Sequence, residues 1–170
     1  PADRVPAGGE VAVNPPLTFE LKNLDSKHAY LNDRGLDQKT IAIFGPGYCN
    51  RGLMQGRIVI PLHNEQGELV GYAGRWPGEP PEGEPKYKFP PKFHKSAVLF
   101  NQHRLETAVV EEKGLIIVEG FFGTFRLWQA RFHNVVALMG TALTPEQEGL
   151  VLGIVGERGK VVLLLDNDEP

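Results

Sequence analysis

Three carboxylates stand directly after short apolar segments of this sequence. Glu119 follows the segment 115–118, and Asp166 and Asp168 follow the segment 161–165. Side chains two positions apart in an extended chain point to the same side, so the two aspartates can face one space. Converging carboxylates repel one another unless a proton or a divalent cation offsets their charge. Oxygen ligands without histidine or thiol favour Mg²⁺ or Mn²⁺ over zinc.

Each of these acidic groups also has an ordinary structural explanation. A single glutamate after a strand, or a single Asp-x-Asp, is more often a cap or turn residue than a ligand. Their joint placement behind two strands of one unit favours a metal site, which could hold phosphate oxygens and stabilise charge on phosphorus. Gly120 and Gly123 leave room beside Glu119 for a phosphate or a metal, and they equally suit a tight turn from strand to helix.

The last third of the chain predicts the order β-α-β-α-β. Its strands are the apolar segments 115–118, 135–139 and 161–165. The aromatic residues after the first strand recur with helical spacing at Phe121, Phe125, Trp128 and Phe132. Strands that are apolar throughout favour a parallel sheet covered on both faces.

The second helix of this unit has a clear start signal. Thr144 can cap it, with Pro145 at the first helical position and Gln147 as the capping-box partner. Ligands of parallel sheets bind at the carboxyl ends of the strands. If the first and third strands are neighbours, the three carboxylates therefore converge.

The first half of the chain has a different organisation. Residues 1–16 contain four prolines and two glycines, so we expect a mobile or extended linker. Residues 28–48 predict two short helices, the second capped by Asp37 and ended by a Gly-Pro-Gly sequence. Residues 57–75 predict an antiparallel hairpin around a turn at 64–67.

Residues 76–95 contain six prolines and predict a long loop. In its second half, four lysines alternate with aromatic residues: Lys86, Tyr87, Lys88, Phe89, Lys92, Phe93 and Lys95. Cations beside aromatic rings suit a single strand of nucleic acid, whose phosphates and bases they can bind. The alternative is a solvated loop whose aromatic residues attach it to the core.

The composition is that of a globular protein, with 41% hydrophobic and 23% charged residues. The net charge of -3 argues against general polyanion binding. Residues 109–170 are the acidic part of the chain. Apolar runs too short to span a bilayer predict a soluble, cytoplasmic protein without a membrane partner. Cys49, the only cysteine, is expected to be buried and inert.

Six segments in order resemble the Toprim proteins, and within them the catalytic core of bacterial DnaG-type primases. They are YLNDRGL with FGPGY, GRIVIPLHNEQGELVGYAGR, PKYKFPPKFHKSAVLFN, IIVEGFFGTFRLWQ, VVALMGTALTPEQ and LLLDNDEP. The resemblance implies a mixed α+β and α/β architecture. After the linker at 1–16, it implies an N-terminal primase-core subdomain at 17–108 with a β-hairpin, and a Rossmann-like Toprim subdomain at 109–170.

The resemblance also implies roles for individual residues. Glu119 corresponds to the catalytic glutamate and a metal ligand of the family, and Asp166 and Asp168 correspond to its first metal-binding Asp-x-Asp. The residues that correspond to basic positions for template or incoming nucleotide are Arg57, Arg75, Lys86 and Lys95. Lys88 and Lys92 have no such counterpart.

The sequence also departs from the family pattern. Many primases carry an acid where this chain has Gly123, and glycine is usual where it has Asn167. The sequence stops at Pro170, before a further Toprim strand, and it lacks the zinc-binding and helicase-binding regions of bacterial primases. We therefore expect the chain to be a fragment with little or no activity alone.

The leading functional hypothesis is a DNA primase that joins ribonucleoside triphosphates into RNA primers on a single-stranded DNA template. It would require Mg²⁺ or Mn²⁺, and it could meet a replicative helicase through regions outside this sequence. One alternative is a Toprim metal-dependent nuclease. Another is a non-catalytic nucleic-acid-binding protein of a mobile element, which Gly123 favours.

Overall fold

Two β-sheets organise the computed structural model, which describes residues 13–165. The first sheet is antiparallel, with its strands in sequence order. They are β1 (Gly47–Cys49), β2 (Arg57–His63), β3 (Leu69–Arg75) and β4 (Tyr87–Lys88). The predicted hairpin is therefore confirmed as β2 and β3, and the short strands β1 and β4 extend it at both edges.

Successive side chains of β2 point to opposite faces of the sheet, and each face packs in a hydrophobic cluster. Ile58, Ile60 and Leu62 belong to the main hydrophobic cluster, whereas Val59 packs with Tyr72 in a smaller cluster on the other side. The smaller cluster also contains Cys49, which is buried as predicted and donates its thiol to a backbone carbonyl.

Two short helices precede this sheet, as predicted. They are α1 (Ala29–Asp33) and α2 (Gln38–Phe44). The Asp37 side chain caps α2 by accepting a hydrogen bond from the backbone N–H of Thr40, and Gly45 ends the helix in the left-handed conformation. None of the helices within residues 13–165 is long and apolar enough to cross a membrane.

The second sheet is parallel and has the strand order β6-β5-β7. Its strands are β5 (Leu115–Val118), β6 (Val135–Ala137) and β7 (Val161–Leu164). The helices around it are α3 (Thr107–Lys113), α4 (Phe121–Gln129) and α5 (Pro145–Val155). The first and third predicted strands are thus neighbours, and the capping box of Thr144 and Gln147 is present at α5.

One expectation for this sheet is wrong, and another is met only in part by the described residues. The aromatic stripe does not continue to Phe132, because α4 ends at Gln129 and Arg131 adopts a positive φ of 71°, which leaves Phe132 48% exposed. The apolar residues 161–165 are each 40–56% exposed, so β7 is not covered on both faces by the described residues. Within residues 13–165, β7 lies at the edge of the sheet and pairs with β5 alone.

One hydrophobic cluster joins the two sheets. It contains Ile58 and Ile60 of the antiparallel sheet together with Ile116 and Val118 of the parallel sheet. Phe100 also exchanges backbone hydrogen bonds with Ala137, at 2.9 and 3.1 Å. A shared core holds the loops of both sheets in a constant relation to each other, which is the condition for a site built from both.

The predicted linker at 1–16 falls mostly outside the described residues, and its described residues, 13–16, include one anchored side chain. Asn14 is buried, and its side chain both donates to and accepts from the backbone of His94, each at 2.9 Å. Leu17 then donates its N–H to the carbonyl of Leu69. These hydrogen bonds hold the segment from Asn14 to Leu17 against the rest of the protein.

Two partly buried histidines make the folded state less stable in acid. The rings of His63 and His103 lie 4.7 Å apart beside Arg104. Burial first, and then Arg104 and His63, lower the pKa of His103 from 6.5 to about 4; burial and Arg104 also lower the pKa of His63. The unfolded chain binds more protons than the folded one between these values, so stability is lost as pH falls from about 6.5 to about 4.

We expect the free energy of unfolding to fall over this interval by up to about 1.4 kcal/mol per pH unit for each histidine, less for partial exposure. Urea denaturation at a series of pH values measures the slope. The variant His103→Gln should flatten this slope. Equal slopes for the wild type and His103→Gln would contradict this prediction.

Candidate active site

Glu119 occupies the turn between a buried strand and a helix. Strand β5 is the centre of the parallel sheet, and Glu119 follows it directly, with Gly120 as the N-cap of α4. The Glu119 carbonyl accepts a hydrogen bond of 2.9 Å from the N–H of Met139, which follows β6. The half-buried glutamate is therefore held at the carboxyl edge of the sheet, where the sequence predicted a ligand site.

A cleft of about 880 Å³ opens at this edge. Strand β5, the start of α4, the loop after β6 and the β4 region line it together with the end of α1. Its charged residues within the described part of the chain are Glu119, Arg34, Arg75, Lys86, Lys95 and Arg126. One carboxylate can offset only one of these five cations, so the described wall of the cleft is strongly positive and suits phosphate groups.

Arg75 is held rigidly in the wall of this cleft. Its guanidinium lies 5.0 Å from the ring centre of Tyr87, 5.5 Å from that of Phe122 and 5.7 Å from that of Tyr30. Its Nε donates a hydrogen bond to the Tyr30 hydroxyl. Burial lowers the pKa of Arg75, but the phenols of Tyr87 and Tyr30 raise it by more, so the net shift is upward. Arg75 is thus a permanent, oriented cation.

The lysine-aromatic loop contributes to the cleft through only two of its four lysines. Lys86 and Lys95 line the cleft, and Lys95 lies 5.2 Å from the ring centre of Phe89. Lys88 and Lys92 are not among the lining residues, in line with their lack of counterparts in the family. The aromatic residues of the loop are partly buried against the main cluster. They attach the loop to the core, which is the alternative that the composition left open.

Arg57 occupies the interior rather than the cleft. It is 2% exposed, its Nη2 lies 2.7 Å from a carboxylate oxygen of Glu84, and its guanidinium lies 4.7 Å from the ring centre of Trp76. Nη1 also donates to the carbonyl of Pro85 at 3.0 Å. Arg57 does not line the cleft, so a role toward nucleic acid stays a prediction, while its structural role is visible.

We expect Arg57→Met to lower the free energy of unfolding by about 3 kcal/mol, because the carbonyls of Gly74 and Pro85 and the Glu84 carboxylate lose their hydrogen-bond donor. Glu84→Gln should cost about 1 kcal/mol or less, since the Glu84 side chain is 46% exposed and its partner keeps other acceptors. Urea denaturation measures both changes. In contrast, Lys86→Gln should leave stability unchanged and weaken nucleic-acid binding. Unchanged stability of Arg57→Met would contradict the structural role.

Asp166 and Asp168 lie outside the described residues. Strand β7, which precedes them, pairs with β5 so that Leu164 is opposite Val118, the residue before Glu119. Convergence of the three carboxylates stays a prediction that this register favours. Within residues 13–165 there is no cluster of three metal-ligating side chains. A metal site that includes Glu119 would therefore need the two aspartates to complete the set.

The sequence did not predict two of the cleft cations, Arg34 and Arg126. Arg34 ends α1 and lies 4.9 Å from the ring centre of Phe122, and Arg126 belongs to α4. One signal was available for Arg126, since it is one helical turn after Gly123, which also lines the cleft. For Arg34 the sequence indicated only the end of a helix.

Comparisons with known proteins agree with this architecture. The Toprim domain family matches residues 113–170. The DNA primase of Aquifex aeolicus is 34% identical over 156 residues, which cover 90% of this chain and 29% of that protein. The DNA primase of Synechococcus elongatus is 36% identical over 128 residues, which cover 73% of this chain and 17% of that protein. This chain therefore spans less than a third of the length of these relatives.

Solved structures give the same result. The crystal structure of the Aquifex aeolicus primase, with its zinc-binding and RNA polymerase domains, matches with a TM-score of 0.71 at 30% identity, over 83% of this chain and 42% of that one. The RNA polymerase domain of Mycobacterium tuberculosis primase DnaG matches in fold, with a TM-score of 0.73 at 21% identity, over 85% of this chain and 60% of that one. The chain belongs to the Toprim family of bacterial DnaG-type primases, of whose catalytic core it forms part.

Proposed function

We propose that this chain provides the catalytic cleft of a DNA primase, which joins ribonucleotides on a single-stranded DNA template. The observation that carries this proposal is the position of Glu119 at the carboxyl edge of a parallel sheet, in a cleft with five cationic side chains among the described residues. Template and incoming nucleotide both bring phosphates, which such a cleft binds. The names of the relatives support the same reaction.

In this reaction the 3′-hydroxyl of the growing primer attacks the α-phosphorus of a ribonucleoside triphosphate, and pyrophosphate leaves. Glu119, Asp166 and Asp168 would hold a divalent cation, Mg²⁺ or Mn²⁺, which neutralises charge on the reacting phosphates. Glu119 either ligates this cation or takes the hydroxyl proton. Arg75, Lys86 and Lys95 bind phosphates of template or nucleotide.

The caged Arg75 has a particular advantage for this role. Because the three aromatic rings and the Tyr30 hydroxyl already hold its guanidinium, little side-chain entropy is lost when it binds a phosphate. A guanidinium can also form two parallel hydrogen bonds to one phosphate. We therefore assign Arg75 to orientation of a phosphate and the lysines to general charge neutralisation.

The organisation of the whole protein belongs to the same proposal. We infer an N-terminal subdomain at 17–108 and a Toprim subdomain at 109–170, with the cleft between them. The whole protein would act in the cytoplasm and meet a replicative helicase through regions outside this sequence. The aromatic contacts of the lysine-containing loop support a fixed cleft wall rather than a mobile arm.

The test is primer synthesis by the whole protein from ribonucleoside triphosphates on single-stranded DNA, with Mg²⁺ or Mn²⁺ and with a chelator. We expect RNA products that depend on template and on the divalent cation. Cleavage of the template instead would replace the proposal with a nuclease. Template binding that a chelator does not affect, without either activity, would replace it with a non-catalytic binding protein.

A further inference from the structure

Arg126 of α4 has a defined place in the cleft. Gln129, three residues later on α4, donates a side-chain hydrogen bond of 3.0 Å to the carbonyl of Gly35 and accepts one of 2.9 Å from the N–H of Asp37. These two bonds fasten this end of α4 to the turn between α1 and α2. Arg126 is therefore held opposite the end of α1, which carries Arg34.

The absence of a side chain at Gly35 lets the Arg126 guanidinium approach this turn. A Cβ atom on Gly35 would lie 3.3 Å from Nη1 of Arg126, and the φ of +74° at Gly35 already disfavours other residues. Arg126 and Arg34 both line the cleft, so two guanidinium groups face it from neighbouring elements.

Charge and space both favour an anion beside Arg126. Gly123 lies one turn before Arg126 on α4 and is exposed in the cleft wall, so this position adds no side chain of its own beside Arg126. The described lining of the cleft has five cations and one carboxylate, so an anion beside Arg126 reduces the repulsion among these cations. A phosphate group offers the charge and the oxygen geometry that guanidinium groups bind.

We propose that Arg126 forms a phosphate-binding subsite on the α4 side of the cleft, in addition to the cations Arg34 and Arg75, which both lie against the Phe122 ring. The inference rests on the proposed use of the cleft for phosphate-bearing ligands. Because the subsite needs no metal ligand, it binds phosphate when divalent cations are absent. It offsets by arginine charge some of the phosphate charge beside Gly123, a position that itself carries no carboxylate.

The experiment is a binding titration of the protein in the presence of a chelator, with inorganic tripolyphosphate and, separately, a single-stranded oligothymidylate. The test variant is Arg126→Gln, and the matched control is Arg131→Gln. Arg131 is an exposed arginine just after the same helix and is not among the lining residues, so both variants lose the same charge. Both positions are exposed, and neither substitution removes core packing.

We expect Arg126→Gln to weaken tripolyphosphate binding about tenfold, and Arg131→Gln to change it less than about twofold. Weaker binding of tripolyphosphate by Arg126→Gln assigns the subsite to the polyphosphate of a nucleotide. Loss confined to the oligothymidylate, with a salt dependence lowered by about one phosphate contact, assigns it to the nucleic-acid backbone. Equal affinities of the two variants for both probes would overturn the subsite.

The result is independent of the proposed reaction. A protein that shows no primer synthesis but a specific loss in Arg126→Gln would retain the subsite and lose the proposed function. Primer synthesis together with equal phosphate affinities of the two variants would support the proposed function and overturn the subsite.

Discussion

Replacement of Glu119 by glutamine is expected to lower primer synthesis by the whole protein at least about 100-fold. The amide keeps the size of the side chain but loses the negative charge that would hold a cation or accept a proton. Because Glu119 is the carboxylate among the described charged residues of the cleft, its loss leaves the described wall entirely cationic. Binding of single-stranded DNA should therefore be retained or strengthened while catalysis is lost. Steady-state synthesis and fluorescence-based binding on the same preparation measure both effects.

The matched control for this variant is Glu146→Gln, which removes an exposed carboxylate from the first turn of α5, outside the cleft lining. It should leave synthesis within about twofold of the wild type. Unfolding curves of both variants should match that of the wild type, which checks that neither substitution disturbs the fold. Synthesis at the wild-type rate by Glu119→Gln would remove this residue from the reaction and favour a binding role for the cleft.

Replacement of Phe125 by alanine is expected to lower the free energy of unfolding by about 4 kcal/mol and the Tm by about 10 °C. Phe125 is fully buried on α4, and its ring centre lies 4.8 Å from that of Phe44, 5.5 Å from that of Phe122 and 5.8 Å from that of Phe100. A cavity at this point would separate α2 from α4 and loosen the wall that carries the cleft arginines. Thermal and urea denaturation measure the change.

Phe132→Ala provides a control with the same change in side chain, three residues after the end of α4. Because Phe132 is 48% exposed, we expect a change of about 0.5 kcal/mol or less. If both residues lay on one helical stripe, as the spacing predicts, the two substitutions would have similar costs. Equal destabilisation by the two variants would therefore contradict the observed end of α4.

Local signals predicted the elements whose causes are local. The capping box at Thr144 and Gln147, the Asp37 cap of α2 and the hairpin of β2 and β3 each depend on residues within a few positions, and each is present. The end of α4 was not predictable in this way. Its last residue, Gln129, bonds to the turn at Gly35 and Asp37, more than ninety positions earlier.

The same contrast separates the predicted site residues. Arg57 begins β2, and Arg75 ends β3. Arg75 pairs across the hairpin with Ile58, the residue after Arg57. Side chains of adjacent positions point to opposite faces of the sheet. One arginine therefore reaches Glu84 and Trp76 in the interior, and the other reaches the cleft.

The sequence by itself determined the order of the two early helices, the hairpin and the β-α-β-α-β unit with Glu119 at its edge, and the family to which the chain belongs. It did not predict β1, β4 or α3. The predicted features depend on apolar periodicity, on caps and on motifs that are continuous in the chain. The tertiary structure decided which cations share the cleft, because Arg34, Arg75 and Arg126 come from three elements that only the common aromatic core brings together. Charge in a cleft is a property of distances between segments, and local sequence patterns contain no such distances.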